Sequence, residues 1–149
     1  MARLADLHGK KVGLDTVVFI YALEGHAEFG NRATALFEQI EAGEIKGFAC
    51  DLVLAELIVK PLRQGKPEIA EEYATELPQF PNLSFRPVTR EVVIAAAKLR
   101  GSKNIGLIDA LHLATARLAE CDAFVTNDLG IQHPDAGLDI FMLSNFDLA

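Results

Sequence analysis

Four acidic residues occupy positions from which their side chains could reach one site. Asp15 and Asp128 each follow a short strand-like run, so each marks the end of a candidate strand. Glu56 lies inside an apolar helical segment, and Asp109 opens another, IDALHLATA. Carboxylates gathered in one crevice are ligands that hard divalent cations such as Mg²⁺ prefer. The candidate chemistry is therefore metal-assisted, provided that the fold brings these four acids together.

Each acid also has an ordinary structural explanation. Asp15 and Asp109 can cap the helices that follow them. Glu56 can lie on the exposed face of its helix, and Asp128 in Asn-Asp-Leu-Gly can be a turn residue. The combination favours a function, because a doubly wound α/β sheet would bring all four acids to one edge. Four further aspartates are predicted to be turn residues only: Asp122, Asp135, Asp139 and Asp147.

Strand-like and helical patterns alternate along the chain. Strands are predicted at 11–15, 47–50, 83–86, 123–126 and 139–143, and helices at 17–23, 31–41, 51–60, 67–77, 90–99 and 109–119. This alternation predicts an α/β fold with a mostly parallel sheet of about five strands and helices on both faces. Asp15 and Asp128 would meet if the first and fourth strands are neighbours where the strand order reverses.

The length and composition favour one domain. A chain of 149 residues, half of them hydrophobic, can bury a substantial core and is predicted to form a single domain over 1–149. No apolar stretch approaches the ~20 residues of a membrane span. The N-terminus lacks the layout of a signal peptide. The expected compartment is therefore the cytoplasm, where Cys50 and Cys121 would stay reduced.

The charge balance restricts the classes of partner. The chain carries 21 acidic and 14 basic residues, a formal net charge of −7. This balance argues against a protein that binds nucleic acid mainly through a broad basic surface. A nuclease is still compatible with it, because metal-binding carboxylates add negative charge at the place where the substrate lies.

Four motifs together resemble a known family. The segments LDTVVFIYALE, DLVLAEL, GLIDALHLATA and AFVTND, in this order and spacing, look like those of the PIN domain, and most of all like its VapC-type toxin ribonucleases. Each motif alone is weak, but the four in order cover the chain from about 12 to 143. The resemblance implies a three-layer α/β/α sandwich and an acid cluster that binds Mg²⁺ or Mn²⁺. It also implies endonucleolytic cleavage of RNA, homodimerisation and inhibition by a small antitoxin protein.

The resemblance assigns roles to individual residues. The family's four acids fall on Asp15, Glu56, Asp109 and Asp128, and its flanking hydroxyl positions fall on Thr16 and Thr126. Asp15 and Asp109 are expected to be direct metal ligands, and the other two acids are expected to act directly or through water. The chain departs from the family pattern at Val17, where Asn or Ser is common, and at Ile108, where Pro is common. Neither departure removes a carboxylate.

Residues near the acids have weaker assignments. His112 lies one turn after Asp109 and points the same way, but a hydrogen-bonded helix histidine is favoured over a metal ligand because Mg²⁺ prefers oxygen. Three basic residues that precede Asp109 are candidate phosphate contacts of RNA: Lys98, Arg100 and Lys103. Tyr21 is interpreted as a core or rim residue.

Three other classes compete with this hypothesis. A receiver-like module would need an acidic pair after its first strand, but Asp15 stands alone there. A dehalogenase-like phosphatase would need a second aspartate where Val17 stands. A PIN scaffold that only binds protein or RNA would be expected to have lost one or more of the acids. Since all four are present, the sequence predicts a metal-dependent endoribonuclease, the toxin component of a type II toxin–antitoxin pair.

Overall fold

The computed structural model describes residues 2–131 and 138–148, and the turn predicted at Asp135 lies outside them. The strands are β1 (Ala2–Arg3), β2 (Lys11–Leu14), β3 (Lys46–Cys50), β4 (Leu83–Arg86), β5 (Ala123–Thr126), β6 (Asp139–Met142) and β7 (Phe146–Asp147). The α-helices are α1 (Thr16–Glu24), α2 (Gly30–Glu41), α3 (Leu52–Arg63), α4 (Pro67–Glu76), α5 (Arg90–Ser102) and α6 (Leu107–Leu118). None of the helices within these residues is long and apolar enough to cross a bilayer.

Five of the strands form one parallel sheet. Its order is β4-β3-β2-β5-β6, and every neighbouring pair is parallel. The chain moves outward from β2 to β3 and β4, then returns to the other side of β2 with β5. The strand order therefore reverses between β2 and β5, where Leu14 is paired with Val125. This arrangement confirms the predicted fold class and meets the condition under which Asp15 and Asp128 can lie close together.

Helices cover both faces of this sheet because its strands are apolar on both sides. Val12, Leu14 and Val125 point into a core shared with α1, α2 and α3. Phe124, the residue before Val125 on β5, points the other way, into a core shared with α5 and α6. Alternate residues of a strand face opposite sides, so one parallel strand supplies both cores. The result is a three-layer α/β/α sandwich.

A glycine allows α6 to lie close against the central strand. A Cβ on Gly13 would stand 2.7 Å from Cβ of Ala116 and 2.9 Å from the ring of Phe124. A helix that connects parallel strands runs antiparallel to them, so its first turn lies at their carboxyl edge. Gly13 therefore helps to hold the start of α6, with Asp109, over the ends of β2 and β5.

Some element boundaries differ from the predicted ones. Helix α3 continues past Pro61 to Arg63, since the buried proline costs one hydrogen bond close to the helix end. Helix α6 begins at Leu107 with Gly106 as its N-cap, so Asp109 is its third residue and does not cap it. The predicted turn residues Asp139 and Asp147 are strand residues of β6 and β7.

Candidate active site

Asp15 lies at the point where the sheet order reverses, and its carboxylate is almost fully buried. It is the N-cap of α1, and its Oδ1 accepts a 2.8 Å hydrogen bond from the backbone N–H of Thr16. Its Oδ2 accepts a 2.6 Å hydrogen bond from Oγ1 of Thr126 at the end of β5. Burial raises the pKa of Asp15, and the hydrogen bonds from Thr126 and Thr16 oppose that rise. The carboxylate is held rigidly at a cost in desolvation.

Thr126 connects Asp15 to the segment that carries Asp128. Its fully buried hydroxyl donates to Asp15 and accepts a 3.0 Å hydrogen bond from the backbone N–H of Asp128. Oδ1 of Asp128 in turn accepts a 2.8 Å hydrogen bond from the backbone N–H of Gly130. Asp128 therefore does form the turn that its sequence context predicts, and it also lies beside the neighbouring acids.

Asp109 is the acid most perturbed by its surroundings. Burial and the negative charges of Asp15 and Asp128, in that order of size, raise the pKa of Asp109 to about 6, and a hydrogen bond with Asp128 adds to the rise. These causes require the three carboxylates to lie within electrostatic reach of one another. We call Asp15, Asp109 and Asp128 the aspartate group.

Glu56 completes the set of predicted acids but has different surroundings. Its Oε1 accepts a 2.6 Å hydrogen bond from Oγ1 of Thr16 and lies 2.9 Å from Nε2 of His112. The hydrogen bond with His112 is the largest cause of a lowered pKa for Glu56; burial opposes it, and the smaller effect of the bond with Thr16 adds to the lowering. The Glu56 side chain is 42% exposed. The structure thus places it at the edge of the aspartate group.

Two polar residues near the acids have contacts that the sequence did not reveal. His112 is 2% exposed and hydrogen-bonded, as expected for a packed helix histidine, and it contacts Glu56 directly. Asn127 donates from Nδ2 to the hydroxyl of Tyr21 over 3.3 Å and accepts at Oδ1 from the backbone N–H of Ser144 over 3.0 Å. In the sequence, only the position of Asn127 beside Asp128 indicated that it could belong to the site.

The donor set fits a hard divalent cation that keeps part of its water shell. Within residues 2–131 and 138–148, no three His, Cys, Asp or Glu side chains converge closely enough to enclose an ion. Mg²⁺ does not need such an enclosure, because one or two carboxylates commonly hold it while water fills its other positions. The mutual repulsion within the aspartate group is the feature that a cation would relieve.

The candidate phosphate contacts lie on α5 and in the loop between α5 and α6. Lys98 is exposed, and Lys103 is half-buried. Arg100 donates from Nε to the backbone carbonyl of Ile105 over 3.1 Å and so helps to hold the loop before α6. This structural bond gives Arg100 a role that does not depend on RNA.

A cavity of about 250 Å³ opens next to Glu56 between α1, α3 and α4. Its lining mixes apolar side chains, such as Ile20, Leu57 and Tyr73, with charged ones that include Lys60. Lys60 is paired with Glu24 of α1. The acidic site thus borders a cavity of mixed character on one side.

The family model for the PIN domain matches residues 12–137. This chain belongs to the PIN domain family. The resemblance inferred from four motifs is thereby confirmed, in preference to the receiver-like and dehalogenase-like alternatives. No curated protein matches the chain significantly in sequence.

Solved PIN structures share the fold at low sequence identity. VapBC2 from Rickettsia felis, bound to a DNA fragment from its promoter, has a TM-score of 0.69 at 18% identity and covers 89% of this chain and 98% of its own. FitAcB from Neisseria gonorrhoeae has a TM-score of 0.68 at 20% identity, with coverage of 91% and 99%. A toxin–antitoxin complex from Klebsiella pneumoniae has a TM-score of 0.63 at 16% identity, with coverage of 86% and 94%. At these identities the similarity demonstrates the fold.

Proposed function

We propose that this PIN domain is a divalent-metal-dependent endoribonuclease and the toxin component of a toxin–antitoxin pair. The observation that carries the proposal is the aspartate group, in which the carboxylates of Asp15 and Asp128, from separate parts of the chain, raise the pKa of Asp109 at the reversal point of the sheet. PIN domains are generally nucleases. The four acids required for that chemistry are all present, and this favours an active enzyme over a scaffold that only binds.

The four acids would have different roles because their surroundings differ. Asp15 and Asp109 would hold Mg²⁺ or Mn²⁺ directly, and Asp128 and Glu56 would do so directly or through water. When bound, the ion would supply a Lewis acid and lower the pKa of a coordinated water. Glu56, kept ionised by its two hydrogen bonds, can accept a hydrogen bond from the attacking water and orient it. Thr16 and Thr126 fix the positions of Glu56 and Asp15.

The substrate would approach past the basic residues that precede α6. Lys98, Arg100 and Lys103 are the proposed contacts of the RNA backbone. A phosphodiester that enters the site brings negative charge toward the aspartate group, so binding would need both the bound cation and flanking basic side chains. The net charge of −7 makes this local arrangement more important than the overall field.

The proposed partners follow from the fold and from its exposed apolar side chains. The structural relatives include toxin–antitoxin complexes, and we propose a cognate antitoxin for this chain as well. Four large apolar side chains of α5 and α6 are exposed and could take part in a homodimer: Val93, Ile94, Leu107 and Ile108. We propose that each subunit is a single PIN domain over 1–149 and that the protein acts in the cytoplasm.

The test is cleavage of a mixed pool of structured RNAs by the purified protein. We expect cutting with Mg²⁺, none with EDTA, and none with the Asp109→Asn variant, which keeps the size of the side chain but removes a negative charge. Cutting that survives EDTA or the substitution would refute the carboxylate–metal mechanism. An inactive wild-type protein that also fails to bind Mn²⁺ would instead support the scaffold that only binds.

A further inference from the structure

His112 lies beneath the acidic site and reaches it with one ring nitrogen only. Its Nε2 is 2.9 Å from Oε1 of Glu56 and 3.2 Å from Oγ1 of Thr16. Its Nδ1 is buried and has no hydrogen-bond partner among the described residues. The ring is 2% exposed, so its orientation is set by packing within α6 and by these two contacts. His112 therefore has one polar atom in the site and one that is unused.

The contacts determine which nitrogen carries a hydrogen. Thr16 has one hydroxyl hydrogen, and its 2.6 Å contact with Oε1 of Glu56 uses it. If Nε2 were a bare lone pair, it would face an ionised carboxylate oxygen at 2.9 Å with no hydrogen between them. The pattern is consistent only when Nε2–H donates to Glu56. A bare Nδ1 also avoids leaving an N–H donor unsatisfied in this buried position.

Glu56 needs such a restraint because little else holds it. It has a long side chain on an exposed position of α3, so several rotamers are open to it. Thr16 and His112 both bind the same oxygen, Oε1, and neither of them binds Oε2. Two donors from different elements, α1 and α6, fix the direction of the carboxylate more tightly than one could.

We propose that His112 is a positioning residue, whose Nε2–H donates to Oε1 of Glu56 and, together with Thr16, directs this carboxylate toward the aspartate group. The inference rests on the proposed function for what Glu56 does in catalysis, but the hydrogen bond itself does not. His112 touches neither substrate nor metal in this proposal. Its effect passes through the orientation of Glu56.

Two substitutions separate the donor from the packing. In His112→Gln the amide nitrogen can occupy the place of Nε2 and still donate to Glu56. In His112→Asn the amide nitrogen reaches only the place of Nδ1, so the donor is lost although the residue stays polar. We expect His112→Gln to keep kcat close to that of the wild type, and His112→Asn to lower kcat about 10- to 100-fold with little change in KM. Equal activity of His112→Asn and wild type, or equally low activity of both variants, would overturn the proposal.

A second measurement does not depend on RNA cleavage. Long-range ¹H–¹⁵N NMR of the wild-type imidazole shows which ring nitrogen is protonated, and we expect Nε2. A hydrogen on Nδ1 with a bare Nε2 would overturn the proposal whether or not the protein is a nuclease. If the wild type cuts no RNA, the proposed function fails, and Mn²⁺ affinity measured by EPR then replaces kcat. His112→Asn should bind Mn²⁺ about tenfold more weakly than His112→Gln, and equal affinities would count against the role of His112.

Discussion

The two sides of the acidic site use the same functional group in opposite surroundings. In the aspartate group, burial raises the pKa of Asp15, and burial together with the charges of Asp15 and Asp128 raises the pKa of Asp109. Across the site, hydrogen bonds from His112 and Thr16 lower the pKa of Glu56. Like charges thus lie close together on one side, whereas the other is satisfied by donors from the protein.

This difference shows how a fold can give four carboxylates different roles. A carboxylate that the protein already satisfies gains less from a metal ion than one held among like charges. We therefore expect the aspartate group to bind most of the cation's charge. Glu56 would act mainly through its direction and its ability to accept a hydrogen bond.

The largest expected effect is the loss of catalytic activity when a carboxylate on one side of the site is replaced by its amide. Asp15→Asn should lower kcat/KM about 10³-fold, because it removes a ligand charge worth several kcal/mol in the transition state. The new amide would also point an N–H group at either the Thr16 N–H or the Thr126 hydroxyl. Glu56→Gln should cost only about 10- to 100-fold, as for residues that orient others. Steady-state kinetics at saturating Mg²⁺ measure both.

Asp15→Asn and Glu56→Gln form a matched pair that tests whether the two sides of the site have different roles. Both substitutions replace a carboxylate by its amide, so size and shape stay constant. A larger loss for Glu56→Gln than for Asp15→Asn would contradict the division of roles.

The sequence predicted the fold well because its strand and helix signals are local. Short apolar strands that alternate with helices were enough to predict a parallel sheet, and β2 does neighbour β5, the condition for Asp15 and Asp128 to meet. Boundaries were less predictable. Leu107 extends α6 without a side-chain cap, and Pro61 is tolerated because α3 ends two residues later.

The sequence predicted that the acids meet but gave no indication of their electrostatics. The strand-end position of Asp15 and the helix-start position of Asp109 pointed to one crevice, and the structure brings them within electrostatic reach. The contrast between Glu56 and the aspartates depends on His112, which is 56 residues away along the chain. No local pattern encodes a contact at that separation, so only the fold shows it.

The next expected effect is stabilisation by metal. Mg²⁺ at about 100 times its Kd should stabilise the fold by about 2.7 kcal/mol, or roughly 5–10 °C in Tm for a chain of this size. Asp109→Asn should raise Tm without metal, because it removes one of the repelling charges, and should reduce the response to Mg²⁺. Differential scanning calorimetry measures both, with NaCl at matched ionic strength as the control. If neither Mg²⁺ nor Asp109→Asn changes the Tm, the model of a cluster of repelling acids is refuted.

A smaller effect is expected from the hydroxyl that joins two of the aspartates. Thr126→Val keeps the shape of the side chain but removes the bond to Asp15 and the acceptor for the Asp128 N–H. We expect kcat to fall about 10- to 100-fold and stability to fall by about 1–3 kcal/mol. Thr126→Ser retains the hydroxyl and should preserve most of the activity. If the Thr126→Ser and Thr126→Val variants have equal activity and stability, Thr126 acts through packing and its hydrogen bonds do not matter for the site.

The smallest expected effect is the pH dependence of stability without metal, and it has opposite signs on the two sides. The folded pKa of Asp109, about 6, lies above its ordinary value of 3.8, so between these values the folded state binds more protons than the unfolded state. Stability from this group is therefore present at low pH and is lost as the pH rises from about 4 to 6. Because Asp109 is partly exposed, solvent screening reduces the loss to about 1 kcal/mol.

Glu56 contributes in the opposite direction. Its folded pKa lies below the ordinary value of 4.5, so its contribution is present above that pH and is lost as the pH falls further. Between about pH 4.5 and pH 6 the decline from the aspartates should therefore dominate, and urea unfolding in EDTA should show it. Asp109→Asn should reduce this decline to the part that comes from Asp15, whereas Glu56→Gln should leave it nearly unchanged. An undiminished decline in Asp109→Asn would show that Asp109 is not the repelled group and would remove the contrast between the two sides.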